Sequence, residues 1–96
     1  NGVIIMSEIK LSITNMGGYI GLNWSNTGSI GKYDYVALYA DQPTDPRGYL
    51  TWQWQWASRA KPYKTGTRYR KGVYWLAYCS WDYAAGCYRI LHISPA

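Results

Sequence analysis

Apolar residues recur at every second position along most of the chain, and no stretch sustains a helical repeat. Over residues 7–14, Ile9, Leu11 and Ile13 alternate with Glu8, Lys10 and Ser12, the pattern of a strand with one buried face. Asn15-Met16-Gly17-Gly18 supplies a turn. Ile20, Leu22 and Trp24 then share one face of a second strand, 19–24. A polar loop with two glycines, 25–32, leads to a third strand at 33–40. Prolines 43 and 46 exclude 41–48 from a central ladder and make it a turn-rich connection. In the fourth strand, 49–56, Leu50, Trp52, Trp54 and Trp56 fall on one face and Thr51, Gln53 and Gln55 on the other. Because Trp52 and Trp54 run in phase with Leu50, they are expected in the core, with Trp56, Tyr63 and Tyr69 exposed. A short basic strand at 63–69 is expected at a sheet edge, and 72–79 with 87–93 reads as a closing hairpin.

Seven short strands in 96 residues, separated by turns, predict an all-β chain: one immunoglobulin-like β-sandwich domain spanning 1–96, with a small β-barrel as the alternative. Leu22-Asn23-Trp24-Ser25, a polar loop and Tyr33-Asp34-Tyr35-Val36-Ala37-Leu38-Tyr39 carry a family likeness. The run from Trp24 to Tyr39 resembles the framework motif of SKICH domains and of the immunoglobulin-like N-terminal domain of purple acid phosphatases. The resemblance implies a β-sandwich and brings no functional residue with it, since such frameworks host unrelated activities.

Composition turns the reading toward recognition. The chain has 11 Tyr and 6 Trp but no Phe. Phe would fill a dry core equally well, whereas Tyr and Trp carry a polar handle suited to half-buried binding faces. Acid–base catalysis is poorly supplied: the carboxylates are Glu8, Asp34, Asp41, Asp45 and Asp82. His92 is expected as a partly buried strand residue, and no Gly-x-Ser-x-Gly elbow or phosphate-cradling loop occurs. No catalytic residue, cofactor or metal ligand set is therefore assigned. Asn23-Trp24-Ser25 fits the glycosylation sequon but falls inside a predicted strand.

A pyranose offers a C–H patch to an aromatic plane and a hydroxyl rim to short polar groups. Trp81, Asp82 and Tyr83 provide that mixture in a loop expected at 80–86, facing Asn26 in the loop that follows the second strand. The strand 51–56 is the second candidate, with Gln53 and Gln55 on one side and three tryptophans on the other; since Trp52 and Trp54 are expected in the core, Trp56 is left for the site, together with Arg68 and Tyr69 of the basic run. The expectation is a non-catalytic, lectin-like protein that binds glycans or glycoconjugates.

Two features widen the choice. The net charge is +5, and Arg59, Lys61, Lys64, Arg68, Arg70 and Lys71 follow one another with no acidic residue between them. Such a run attracts phosphates, acidic lipid headgroups or sulfated glycans, so an anionic membrane surface is the alternative partner and a protein-interaction or inhibitor module comes next. Nucleic acid is disfavoured for want of an RNP-like motif. Cys79 and Cys87 are expected to close the last hairpin as a disulfide, which implies an oxidising compartment and a secreted or extracellular chain. A cytoplasmic protein without signal peptide is the alternative, residues 3–6 being too short for a signal-peptide core. Edge strands and aromatic surface offer routes to a homodimer.

Overall fold

A computed structural model describes residues 8–57 and 61–96. Arg59, the head of the basic run, lies outside the described residues, as does the apolar segment 3–6. Among the described residues seven strands form: β1 (Ile9–Met16), β2 (Tyr19–Asn26), β3 (Tyr35–Tyr39), β4 (Thr51–Trp54), β5 (Tyr63–Arg68), β6 (Trp75–Asp82) and β7 (Cys87–Pro95). They make two open antiparallel sheets, β1-β2-β5 and β4-β3-β6-β7. The chain is thus a β-sandwich and not a closed barrel. The fourth strand joins the sheet of the third, as the C′ strand does in immunoglobulin variable domains.

The hairpin β1–β2 shows how local chemistry fixes register. Gly17 and Gly18 have φ of 66° and 93°, the left-handed pair that a two-residue hairpin loop needs. The Asn15 side chain accepts a hydrogen bond from the Gly18 amide at 2.7 Å. Met16 then pairs with Tyr19, and the inward residues of β1 and β2 keep step from there.

Mainly aliphatic side chains, with Trp24 and Tyr78 among them, fill the space between the sheets. Ile20, Leu22 and Trp24 of β2 meet Val36 and Leu38 of β3 and Leu76 and Tyr78 of β6, all fully or almost fully buried. Two polar ties secure this core. The Tyr74 hydroxyl at the head of β6 donates to the Arg68 carbonyl at 2.7 Å, the tyrosine corner of immunoglobulin-like folds. The Tyr78 hydroxyl donates to buried Asp34 at 2.7 Å and accepts from Asn26 Nδ2 at 3.1 Å, while Asp34 also accepts from the Gly31 amide. That chain fastens the β2–β3 loop to the end of the sandwich.

The last hairpin corrects the sequence reading. β6 continues three residues past Cys79, so the connection is the turn 83–86 and not a loop from 80. Asp82 caps that turn, its Oδ1 accepting from the amides of Ala84 and Ala85 at 3.0 Å each. Cys79 is paired in register with Ile90, and Cys87 with Asp82. Three strand steps of about 3.3 Å separate their rows, well beyond disulfide reach. Both cysteines are free, Cys79 buried and Cys87 exposed. With the bridge goes the redox argument for an oxidising compartment.

Candidate functional site

The outer face of the four-stranded sheet is aromatic. Along β3 the aliphatic residues Val36 and Leu38 point into the sandwich, and Tyr35, Ala37 and Tyr39 point outward. Across β6 the same division sets Leu76 and Tyr78 against Trp75, Ala77 and Cys79. Register carries the outward phase onto both edge strands. Trp54 lies opposite Tyr35, Trp52 opposite Ala37, and Tyr88 opposite Trp81. Tyr35, Ala37, Tyr39, Ala77 and Cys79 are buried under these rings, a second apolar layer outside the sandwich core.

This arrangement overturns the expectation that Trp52 and Trp54 are core residues. Trp52 is 37% exposed and Leu50, in phase with it, 48%. The alternation along β4 was right, and its polarity was inverted. Gln53, opposite Val36, takes the inner side, half-buried where four strands face three.

The rings touch in a continuous band. Trp52 and Trp54 meet nearly perpendicular, with centroids 4.8 Å apart; Trp52 meets Tyr35 at 5.8 Å, Tyr35 meets Tyr88 at 4.8 Å, and Tyr88 meets Trp81 at 5.0 Å. Trp56 extends the band, lying 14° from parallel with Trp54. Edge-to-face contacts of this kind favour fixed ring orientations, so the surface is shaped before a ligand arrives.

Between the rings runs a groove of about 780 Å³, walled by Trp52, Trp54 and Tyr49 on one side and by Trp81, Tyr88 and Cys87 on the other. Asp45, Pro46 and Arg47 also line it. Its size falls within the range of about 300–1,000 Å³ usual for small-molecule sites. A second hollow of about 570 Å³ adjoins it, lined by Ile30, Tyr33, Trp56 and, shared with the groove, Trp54.

The charged groups at the groove are already paired. The Arg47 amide donates to Asp45 Oδ1 at 2.8 Å and its Nε lies 3.4 Å from the same oxygen. The backbone bond, with help from the guanidinium, holds the Asp45 carboxyl below the usual carboxylate range. Burial pushes the Tyr35 and Tyr39 hydroxyls well above the usual tyrosine range, with Cys79 beside them adding to the shift. Burial likewise raises the Cys79 thiol, which therefore stays protonated and is a poor nucleophile. Among the described residues no three of His, Cys, Asp or Glu gather as a metal site.

The structure distributes the sequence-predicted residues unevenly. Trp81 and Trp56 both join the aromatic band. Asp82 is engaged by its own turn and by the Arg89 guanidinium, while Tyr83 at the turn apex is 76% exposed. Asn26 spends its amide on Ser29, Gly28 and Tyr78. Arg68 and Tyr69 belong to the other sheet: the Arg68 guanidinium sits 5.4 Å from the Tyr19 ring centre, and Tyr69 packs against the sandwich core. Tyr35, Tyr49 and Tyr88 were missed, and Trp52 and Trp54, on the second candidate strand, were assigned to the core. A partial signal was present in β3, where Val36 and Leu38 form one phase and Tyr35 and Tyr39 the other, the aliphatic phase marking the core; β6 mixes the two, with Tyr78 inward and Trp75 outward. No protein-family model, curated protein or solved structure matches the chain.

Proposed function

We propose that this chain is a non-catalytic carbohydrate-binding module whose ligand lies in the aromatic groove on the outer face of β4-β3-β6-β7. The observation that carries the reading is the band of edge-to-face rings lining a groove whose ionised groups are already paired. Such a surface suits an uncharged ligand with apolar faces and a polar rim, which describes a pyranose. Arg47 and Asp45 keep donor and acceptor capacity for hydroxyls at the groove's edge. Because Trp54 lines both the groove and the adjoining hollow, an oligosaccharide fits better than a single sugar.

The distribution of cations also supports a sugar over a membrane or a nucleic acid at this site. Lys64 and Arg68 stand on the other sheet, away from these tryptophans; of the cations beside the two hollows, Arg47 is paired with Asp45 and Lys32 rests over the Tyr33 ring. A lipid interface or a single-stranded nucleic acid draws rings and cations to one surface.

A glycan array followed by titration calorimetry of the hits tests the proposal. Affinity for a restricted set of glycans, weakened tenfold or more in Trp81→Ala and nearly unchanged by salt, is the expected result. An array without reproducible hits overturns it.

A further inference from the structure

The outer face of the other sheet presents a second surface of opposite character. Lys64 and Arg68 project from the same side of β5, and register sets Arg68 opposite Tyr19 and Lys64 opposite Gly21 on β2. Both cations lie against one ring: Lys64 Nζ is 5.2 Å and the Arg68 guanidinium carbon 5.4 Å from the Tyr19 centroid. Attraction to the ring draws both cations to Tyr19, so the two charges are presented about one point of the sheet. Neither makes an ion pair among the described residues, where the carboxylate pairs are Asp45–Arg47 and Asp82–Arg89. Toward β1 the face continues through Lys10, Ser12 and Asn23, with no negative charge between them and the cation pair.

We infer that this face is a second binding site, for the sulfate groups of an anionic polysaccharide. Charge complementarity demands an anion. Other features of the face select among anions. A single-stranded nucleic acid needs a free ring on which a base can stack, and Tyr19 is already occupied by Lys64 and Arg68. A membrane interface calls for protruding apolar side chains, yet none of the exposed large hydrophobic residues belongs to β1, β2 or β5. Gly21 at the centre leaves a flat surface, covered by Met16 and Thr14, with which a Cβ there would collide. What remains suitable is a polymer whose charged groups hang outward and are met by cations alone. Sulfated polysaccharides have that form, and the polyanion would bind independently of the aromatic groove.

The test uses heparin oligosaccharides on the full chain, titrated at several salt concentrations. Binding is expected at low salt, with affinity falling about as the second power of salt concentration as counterions are released from two contacts. The double variant Lys64→Ala/Arg68→Ala should weaken it about tenfold or more, whereas Lys32→Ala and Trp54→Ala, on the other sheet's side, should leave it within about twofold. Both altered side chains are exposed, and the unfolding midpoint of the double variant verifies that the sandwich persists. Absence of heparin binding at low salt overturns the inference, as does binding that survives the double substitution. Tighter binding to phosphatidylserine vesicles or to single-stranded DNA at the same salt overturns it in favour of that partner.

Discussion

Tyr35 and Tyr88 meet edge to face over the strand that separates them, their ring centres 4.8 Å apart and their planes at 74°. One ring stands on β3 and the other on β7, so the contact ties the middle of the sheet to its edge. It also joins Trp52 and Trp54 on one side to Trp81 on the other, making two groups of rings one surface.

Trp54 lines both hollows, which on the proposed reading makes it the hinge of an extended ligand. Trp54→Ala should weaken oligosaccharide binding by at least about 2 kcal/mol, the loss expected of a central aromatic anchor. Trp56→Ala, which touches only the smaller hollow, should weaken longer oligosaccharides and spare shorter ones. Calorimetry across a chain-length series checks the contrast, and equal losses at every length would argue for a single compact site.

The two thiols should differ in reactivity. Cys87 is exposed and should react with a thiol reagent in the native protein, while Cys79, fully buried and protonated, should react only after denaturation. Two equivalents in denaturant and one in native buffer is the expected count. None in denaturant would mean that the cysteines are bonded after all.

Tyr74→Phe removes one hydroxyl and leaves the ring. Because that hydroxyl satisfies the Arg68 carbonyl at the β5–β6 corner, the change should cost about 1 kcal/mol, the usual worth of such a hydrogen bond. Urea denaturation should show a lower midpoint with unchanged slope.

The final turn makes the protein acid-sensitive in a defined direction. The Ala85 amide, and then the Arg89 guanidinium, hold the Asp82 carboxyl below its usual range. A carboxylate whose folded value is depressed contributes stability that is full above the unfolded value of about 4 and is lost as pH falls through the folded one. Asp82→Asn should therefore be less stable than the parent at pH 7, and the gap should close on acidification below about pH 4. Thermal unfolding across that range measures it.

Period-two alternation with turn chemistry placed all seven strands, because in a sandwich each strand has one face against the core. The first hairpin was legible in outline, since Gly17-Gly18 admits little but a tight turn, but β1 and β2 each run two residues beyond the expected ends, to Met16 and Asn26. Which face of β4 is buried was not legible. Trp52 and Trp54 satisfy burial equally well in a core or under neighbouring rings, and only pairing with β3 decides between them. The disulfide expectation failed on register: spacing suggested a loop from 80 to 86, but Trp81 and Asp82 prolong β6 and carry Cys79 out of reach. Asn26, Arg68 and Tyr69 were chosen for chemistry alone, and long-range contacts with Tyr78, Tyr19 and the core decide their surroundings.

β3 is buried on both sides, Val36 and Leu38 beneath and Tyr35 and Tyr39 above. Sliding it by one residue would exchange the two sets, placing phenols among the aliphatics and leaving Val36 and Leu38 under the outer rings. Misalignment is therefore penalised twice, and the aromatic groove cannot assemble on a sheet that has paired wrongly. A variant that unfolds cooperatively at the parental midpoint has its groove in place, so a loss of binding in such a variant reports a lost contact rather than a damaged scaffold.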